Sequence, residues 1–178
     1  MRLLKLLLFS GLLSLASLAQ TPQQPNLEKQ RSAMSKLQFL VGSWSGTARL
    51  WRTAATSIEM VQTEQAKYKL DGLLLTVEGA GKNKADGRPV LQAFGLISYD
   101  DTAGVYRMRA FNDGRWLETD VQLDESAKEL RWGFDFGRFK TGSTLRMNAE
   151  GDWTEVHQLT VGEEPPRKFM ELTVKRQQ

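Results

Sequence analysis

The groups in this sequence that could do chemistry sit inside strand-like runs rather than in loops. In Ser57 to Leu70 (SIEMVQTEQAKYKL), alternation puts Ile58, Met60, Gln62, Glu64, Ala66, Tyr68 and Leu70 on one face, and Ser57, Glu59, Thr63, Lys67 and Lys69 on the other. The apolar face should point inward, and it carries Gln62 and Glu64 with it. A carboxyl group there is costly if charged and unpaired, so it must be protonated, paired or wet, and it could then orient a ligand. The alternative is a local bulge that returns this end of the strand to solvent. A second run, Trp153 to Val161 (WTEVHQLTV), places Glu155 and His157, the one histidine of the chain, on the face of Trp153, Leu159 and Val161. A neutral histidine oriented by a carboxylate could act as a base or ligate haem iron, and the alternative is a structural or surface histidine.

Familiar catalytic frames are missing. The chain has no Walker loop, no HExxH and no cysteine. Gly42-Ser43-Trp44-Ser45-Gly46 holds its serines out of place for a nucleophile elbow. It also enters a strand from a helix, whereas the elbow runs strand, turn, helix. One histidine without cysteines makes no typical zinc site, and Asp100-Asp101 has no further ligands at EF-hand spacing, so no metal is expected.

The first 19 residues read as an export signal: Arg2 and Lys5 as the positive region, an apolar run from Leu6 to Leu18, and Ser17-Leu18-Ala19 as the cleavage site. The run is short of the roughly 20 residues that span a bilayer, so no stable membrane anchor is expected in the mature chain. The absence of cysteine excludes a lipidated cysteine and disulfides, and suits a bacterial periplasm, with secretion as the other destination. The 24 Lys and Arg against 21 Asp and Glu fall to 22 against 21 once Arg2 and Lys5 leave. With no long basic run, nucleic acid is not expected as a partner.

Residues 20–25 form a Pro/Gln spacer, and residues 26–178 one domain. Asn26 is placed to cap a helix through LEKQRSAMSKLQFL, with Leu27, Met34 and Leu37 near one stripe, and Gly42 ends it. About ten strands follow: Ser43 to Arg52, Ser57 to Leu70, Leu73 to Gly79, Pro89 to Tyr99, Val105 to Phe111, Arg115 to Leu123, Glu129 to Phe136, Phe139 to Asn148, Trp153 to Val161 and Arg167 to Arg176. Asp71-Gly72, Asn112-Asp113-Gly114 and Glu150-Gly151-Asp152 are turn signals between them. No helices separate the strands, which predicts an all-β antiparallel up-and-down meander. A twisted sheet of that size curls and closes, and an even strand count brings Trp44 and Arg176 to the same end. Gly42, Trp44 and Gly46 share one face of the first strand, where the glycines are expected to leave room beside the indole.

G-x-W-x-G after a short helix resembles the start of lipocalin-like (calycin) barrels. FLVGSWSG, AKYKLDGLLL, GLISYDDTAGVYR and MELTVKR, in this order over about residues 37–176, are similar to an exported bacterial domain family of unknown function with that fold. The resemblance implies that Trp44 packs across one barrel end and that Arg176 lies over its ring, with Gly42 and Gly46 completing the plug. Nitrobindins, which bind haem, and fatty-acid carriers are related barrels, so it also implies a ligand-sized interior. The nitrobindin histidine lies on the last strand, and Phe169 to Lys175 holds none. Haem through His157 is the one cofactor option, and none is otherwise expected.

Alternation also turns Leu75, Met108, Leu130, Trp132, Phe134, Phe136, Leu145, Met147, Met170 and Leu172 inward. These residues either fill the barrel or line a cavity. The expected function is binding of a small apolar or amphipathic ligand by Gln62, Glu64, Tyr68, Met108, Trp132, Phe134, Met147 and His157, with no catalytic residue assigned. Two alternatives stand beside it. One is a hydrolase or isomerase using Glu64 or the Glu155/His157 pair. The other is a filled barrel acting as an envelope interaction module through outer aromatics such as Trp51, Phe111 and Trp116.

Overall fold

The computed structural model describes residues 24–112 and 114–178; the export segment 1–19, the spacer as far as residue 23, and Asp113 lie outside the described residues. The described residues form one helix, α1 (Leu27–Ser35), a 3-10 turn (Gln38–Leu40), and ten strands. The strands are β1 (Gly42–Trp51), β2 (Ser57–Lys69), β3 (Leu74–Asn83), β4 (Pro89–Asp100), β5 (Val105–Asn112), β6 (Arg115–Asp124), β7 (Glu129–Phe136), β8 (Phe139–Met147), β9 (Trp153–Val161) and β10 (Arg167–Arg176). Each pairs antiparallel with its neighbours in sequence, and β1 pairs with β10, which closes the barrel.

The period-two pattern holds around the whole circumference. Met60, Gln62, Glu64 and Ala66 on β2 are buried, while Glu59, Val61 and Thr63 between them are exposed. The third strand does not end at Gly79 as expected but runs on through Gly81 to Asn83, with Gly79 and Gly81 paired to Glu64 and Gln62. Leu70 departs from the expected inward set: its φ of 50° opens the turn and leaves it 67% exposed.

Helix α1 closes one end. The Asn26 side chain caps it by accepting from Lys29 N at 2.9 Å. Asp101, read from sequence as half of a turn pair, docks it: its carboxylate accepts from Asn26 N at 2.8 Å and Gln30 Nε2 at 2.6 Å. At the other end of the helix Tyr106 donates to Ala33 O at 2.7 Å and Tyr68 to Met34 O at 2.5 Å. The helix stops at Ser35 instead of continuing to Leu40, because i→i+3 bonds to Ala33 O and Met34 O tighten the chain and turn Leu37 and Leu40 into the core. Leu27 stays 45% exposed, outside the stripe expected for it.

Beneath the helix, Trp44 is 2% exposed and donates from Nε1 to Leu40 O at 2.8 Å. The Arg176 guanidinium carbon lies 4.1 Å from the centre of the indole, and the group donates to Phe39 O at 2.9 Å and to Val41 O. The glycines serve a different purpose from the one expected. A Cβ on Gly42 would collide with the Arg176 guanidinium and one on Gly46 with the Thr173 carbonyl, so they admit Arg176 and β10 rather than the indole.

One seam is incomplete. The β6–β7 ladder is confined to Gln122–Arg131, Leu123–Leu130 and Asp124–Glu129, near the helix-capped end. Further along, the Thr119 hydroxyl donates to Gly133 O at 2.7 Å in place of a backbone rung. Replacing Trp44 by alanine removes the largest buried side chain beneath the helix and should cost about 3–5 kcal/mol, read as a lowered urea midpoint in far-ultraviolet circular dichroism.

Candidate ligand site inside the barrel

Gln62 and Glu64 occupy the inner wall of β2 opposite two glycines, and the sequence explains why they fit. A Cβ on Gly79 would stand 2.8 Å from Glu64 Oε2, and one on Gly81 would stand 2.7 Å from Gln62 Oε1. Both side chains therefore lie over β3 in space that any other residue would fill. Register is continuous through Glu64 on both sides and the residue is buried, so the solvent-facing alternative does not apply. Gln62 Nε2 donates to Glu64 Oε1 at 2.7 Å, while Gln62 Oε1, fully buried, has no hydrogen-bond partner among the described residues. Burial, reinforced by the negative charge of Glu155, pushes the Glu64 carboxyl up to about 8, against the opposing Gln62 hydrogen bond.

The facing part of the network is on β8 and β9. Glu155 Oε1 accepts from Trp153 Nε1 at 2.8 Å, and Glu155 Oε2 lies 2.9 Å from His157 Nε2. The other ring nitrogen, Nδ1, lies 2.8 Å from Ser143 Oγ. With the Nε2 hydrogen on Glu155, Nδ1 accepts and the Ser143 hydroxyl donates. Trp132 and Phe169 flank the imidazole, with ring centres 6.1 Å and 5.9 Å away. Because both nitrogens are engaged, His157 offers no free lone pair to a haem iron, and the residues present do not fit haem ligation at this position. Among the described residues, no cluster of three or more His, Cys, Asp or Glu side chains could hold a metal ion.

Above this polar floor the barrel opens. The last inward residues at the uncapped end, Phe136 and Phe139, are 38% and 43% exposed, and Phe134, Leu159 and Val161 below them are half-buried. The wall across from these aromatics is made of small side chains, Ala93, Gly95 and Ala110. A Cβ added to Gly95 would meet nothing closer than 3.9 Å, so a side chain can start there without a clash. A concavity of about 750 Å³ is lined by the outward residues Thr63, Gln65, Phe94 and Phe111 together with Glu64 and Gly79 of the inner set. Phe94, Phe111 and Trp116 form a cross-strand row on that outer face.

The residues expected to bind ligand divide by depth. Gln62, Glu64, Met108, Trp132, Phe134 and His157 face the interior above the capped end. Tyr68 shares their face but spends its hydroxyl on the helix, and Met147 pairs with Trp153 near the plug. Ser143 was not singled out by sequence, although it lies two positions from inward Leu145 and directly across from His157.

Ten antiparallel strands in up-and-down order, closed behind an N-terminal helix, define a lipocalin-like, calycin-type fold. The crystal structure of Rv2717c from M. tuberculosis matches with a TM-score of 0.66 at 14% identity, over 82% of this chain and 98% of that one. The S-type phycobiliprotein lyase CPES from Guillardia theta matches with a TM-score of 0.58 at 13% identity, over 86% of this chain and 99% of that one. At these identities the likeness is one of fold. No protein-family model matches the chain, and no curated protein does.

The Glu64 carboxyl sets a pH dependence. Its folded value near 8 lies above the unfolded value near 4.5, so the folded state binds the extra proton between them. The stability associated with that proton is present below the lower value and lost as pH rises through the upper one. The wild type should lose on the order of 4 kcal/mol more than Glu64→Gln across that window, measured by urea unfolding at a series of pH values.

Proposed function

We propose that the chain is an exported carrier that holds a small apolar or amphipathic molecule in the open half of its barrel. The observation that carries this reading is the ring of inward-facing apolar side chains, Phe136 and Phe139 foremost, left exposed above a buried polar floor. Inward apolar surface that folding does not cover is what an apolar guest would bury, and a few convergent polar groups beneath it would fix its orientation. Export rests on the sequence of residues 1–19, and the bacterial periplasm is the destination that a cysteine-free chain suits. Kinship with nitrobindin-type barrels, on this reading, extends to the architecture and not to haem.

A second reading is favoured by one specific arrangement. The hydrogen-bonded chain from Ser143 through His157 to Glu155 has the connectivity of an activated hydroxyl, a base and an orienting carboxylate, which suits a small hydrolase. A fluorophosphonate probe separates the two: it should label Ser143 in a hydrolase and leave a carrier unmodified.

Native mass spectrometry of protein recovered gently from a bacterial periplasm tests the carrier directly. Wild type should run as residues 20–178 plus an added mass that denaturation releases. Gly95→Trp, which projects an indole into the interior beside β4 and β5, should fold with the same circular dichroism and lack that mass. Bare wild-type mass together with failure to bind the apolar dye N-phenyl-1-naphthylamine would remove the proposal.

A further inference from the structure

The interior is unbalanced in charge. Glu64 and Glu155 are 7% and 9% exposed, and the negative charge of Glu155 disfavours ionisation of Glu64. Among the described inward-facing residues, the arginines lie at the two extremes. Arg115 and Arg167, which pairs with inward Leu159, stand exposed at the rim, and Arg176 is committed to Trp44 and to the carbonyls of Phe39 and Val41. Trp44 pairs with Glu64 on one side and Arg176 on the other, so the indole stands between that cation and the carboxyl pair. His157 already donates to Glu155 and accepts from Ser143 in the arrangement described above.

Glu64 holds a proton in the empty site, and to a cationic guest that takes the place of this proton the floor offers a set of acceptors. Gln62 Oε1 is fully buried with no donor directed to it, an arrangement that costs free energy until something donates. Glu64 Oε1 accepts one bond from Gln62, and Oε2 has no donor among the described residues. Gly79 and Gly81 keep the wall beside these oxygens bare of side chains. Beyond Gly79 the inner wall continues through Ala93 to Asn112, whose side-chain oxygen is likewise buried without a hydrogen-bond partner among the described residues, and whose amide nitrogen is a donor.

We infer that the barrel floor selects a head group that is cationic and rich in N–H donors, a primary alkylammonium in its simplest form, and rejects a carboxylate head. This rests on the carrier reading and narrows it to one class of amphiphile. An ammonium supplies three donors to a site that has acceptors in excess, and its charge offsets the carboxyl pair. A carboxylate would bring a third acidic group into the same space and leave Gln62 Oε1 unsatisfied. The apolar tail would then lie along Trp132 and Phe134 toward the exposed mouth.

Isothermal titration of the full mature chain near neutral pH with decylamine, decyltrimethylammonium, decanol and decanoate tests this. Decylamine should bind at least about tenfold tighter than decanol, the scale of one charge-assisted hydrogen bond, and decanoate should bind more weakly than decanol. Decyltrimethylammonium, with the charge but no N–H, should fall below decylamine. Glu155→Gln and Glu64→Gln, each shown to be folded by circular dichroism, should remove most of the preference for the amine while leaving decanol unchanged. If decanol binds and decanoate equals or exceeds decylamine, the head-group inference is wrong and the carrier reading stands. If none of the four binds, both fail together. Because the wild-type series decides the matter alone, a variant that does not fold leaves the inference testable.

Discussion

Arg176 joins the two ends of the barrel wall, and the arrangement at the capped end depends on that contact. Closure of ten strands brings the last residue of β10 beside the third residue of β1, and the guanidinium then does two things at once. It stacks on Trp44, and it satisfies carbonyls of the segment that leads from the helix into the sheet. The same indole reaches Leu40 O through its Nε1. Helix, first strand and last strand are thereby tied at one point, and the tie explains why Gly42 and Gly46 must lack side chains. A planar, five-donor group suits this place, since a lysine could supply the charge but not the stack together with the fork.

With one end sealed in this way, the interior divides into two kinds of space. Below, large apolar groups and the tyrosine–helix bonds fill the space. Above, the small wall of β3 to β5 faces the aromatics of β7 and β8, and the polar residues lie between the two regions. A carboxyl group that sits deep in a barrel weakens the fold as pH rises, so Glu64 is retained at a cost in stability. Costs of this kind are typical of sites shaped by binding or chemistry.

The face to which a residue points was legible in the sequence, and its depth was not. Alternation alone turned Gln62, Glu64, Glu155 and His157 inward, and the turn signals separated all ten strands. Tyr68 follows the same alternation as Glu64, yet four residues along the strand took it from the floor of the cup to the underside of the helix. The third strand was expected to end at Gly79, because glycine is poor in strands, whereas it runs on through Gly81, where glycine is required by the side chains that lie across it. Ser143 has the least conspicuous residue type of the network, and only its pairing with His157 gives it meaning. Asp101 was hidden behind its own turn, since the helix it anchors lies some 70 residues earlier in the chain.

The partly fastened seam between β6 and β7 gives the barrel an uneven mechanics. The other ladders run for seven pairs or more, with one irregularity each in β3–β4 and β9–β10, but here three rungs hold one end and a threonine hydroxyl holds the middle. Compliance is concentrated along that line, so the two flanking strands can part like the edges of a split sleeve without tearing the rest of the ladder. Thr119 is the clasp of that sleeve, and its hydroxyl can exchange Gly133 for water at little cost. Any widening of the rim would therefore be sideways along that line, with the Arg176 tie keeping the far end shut.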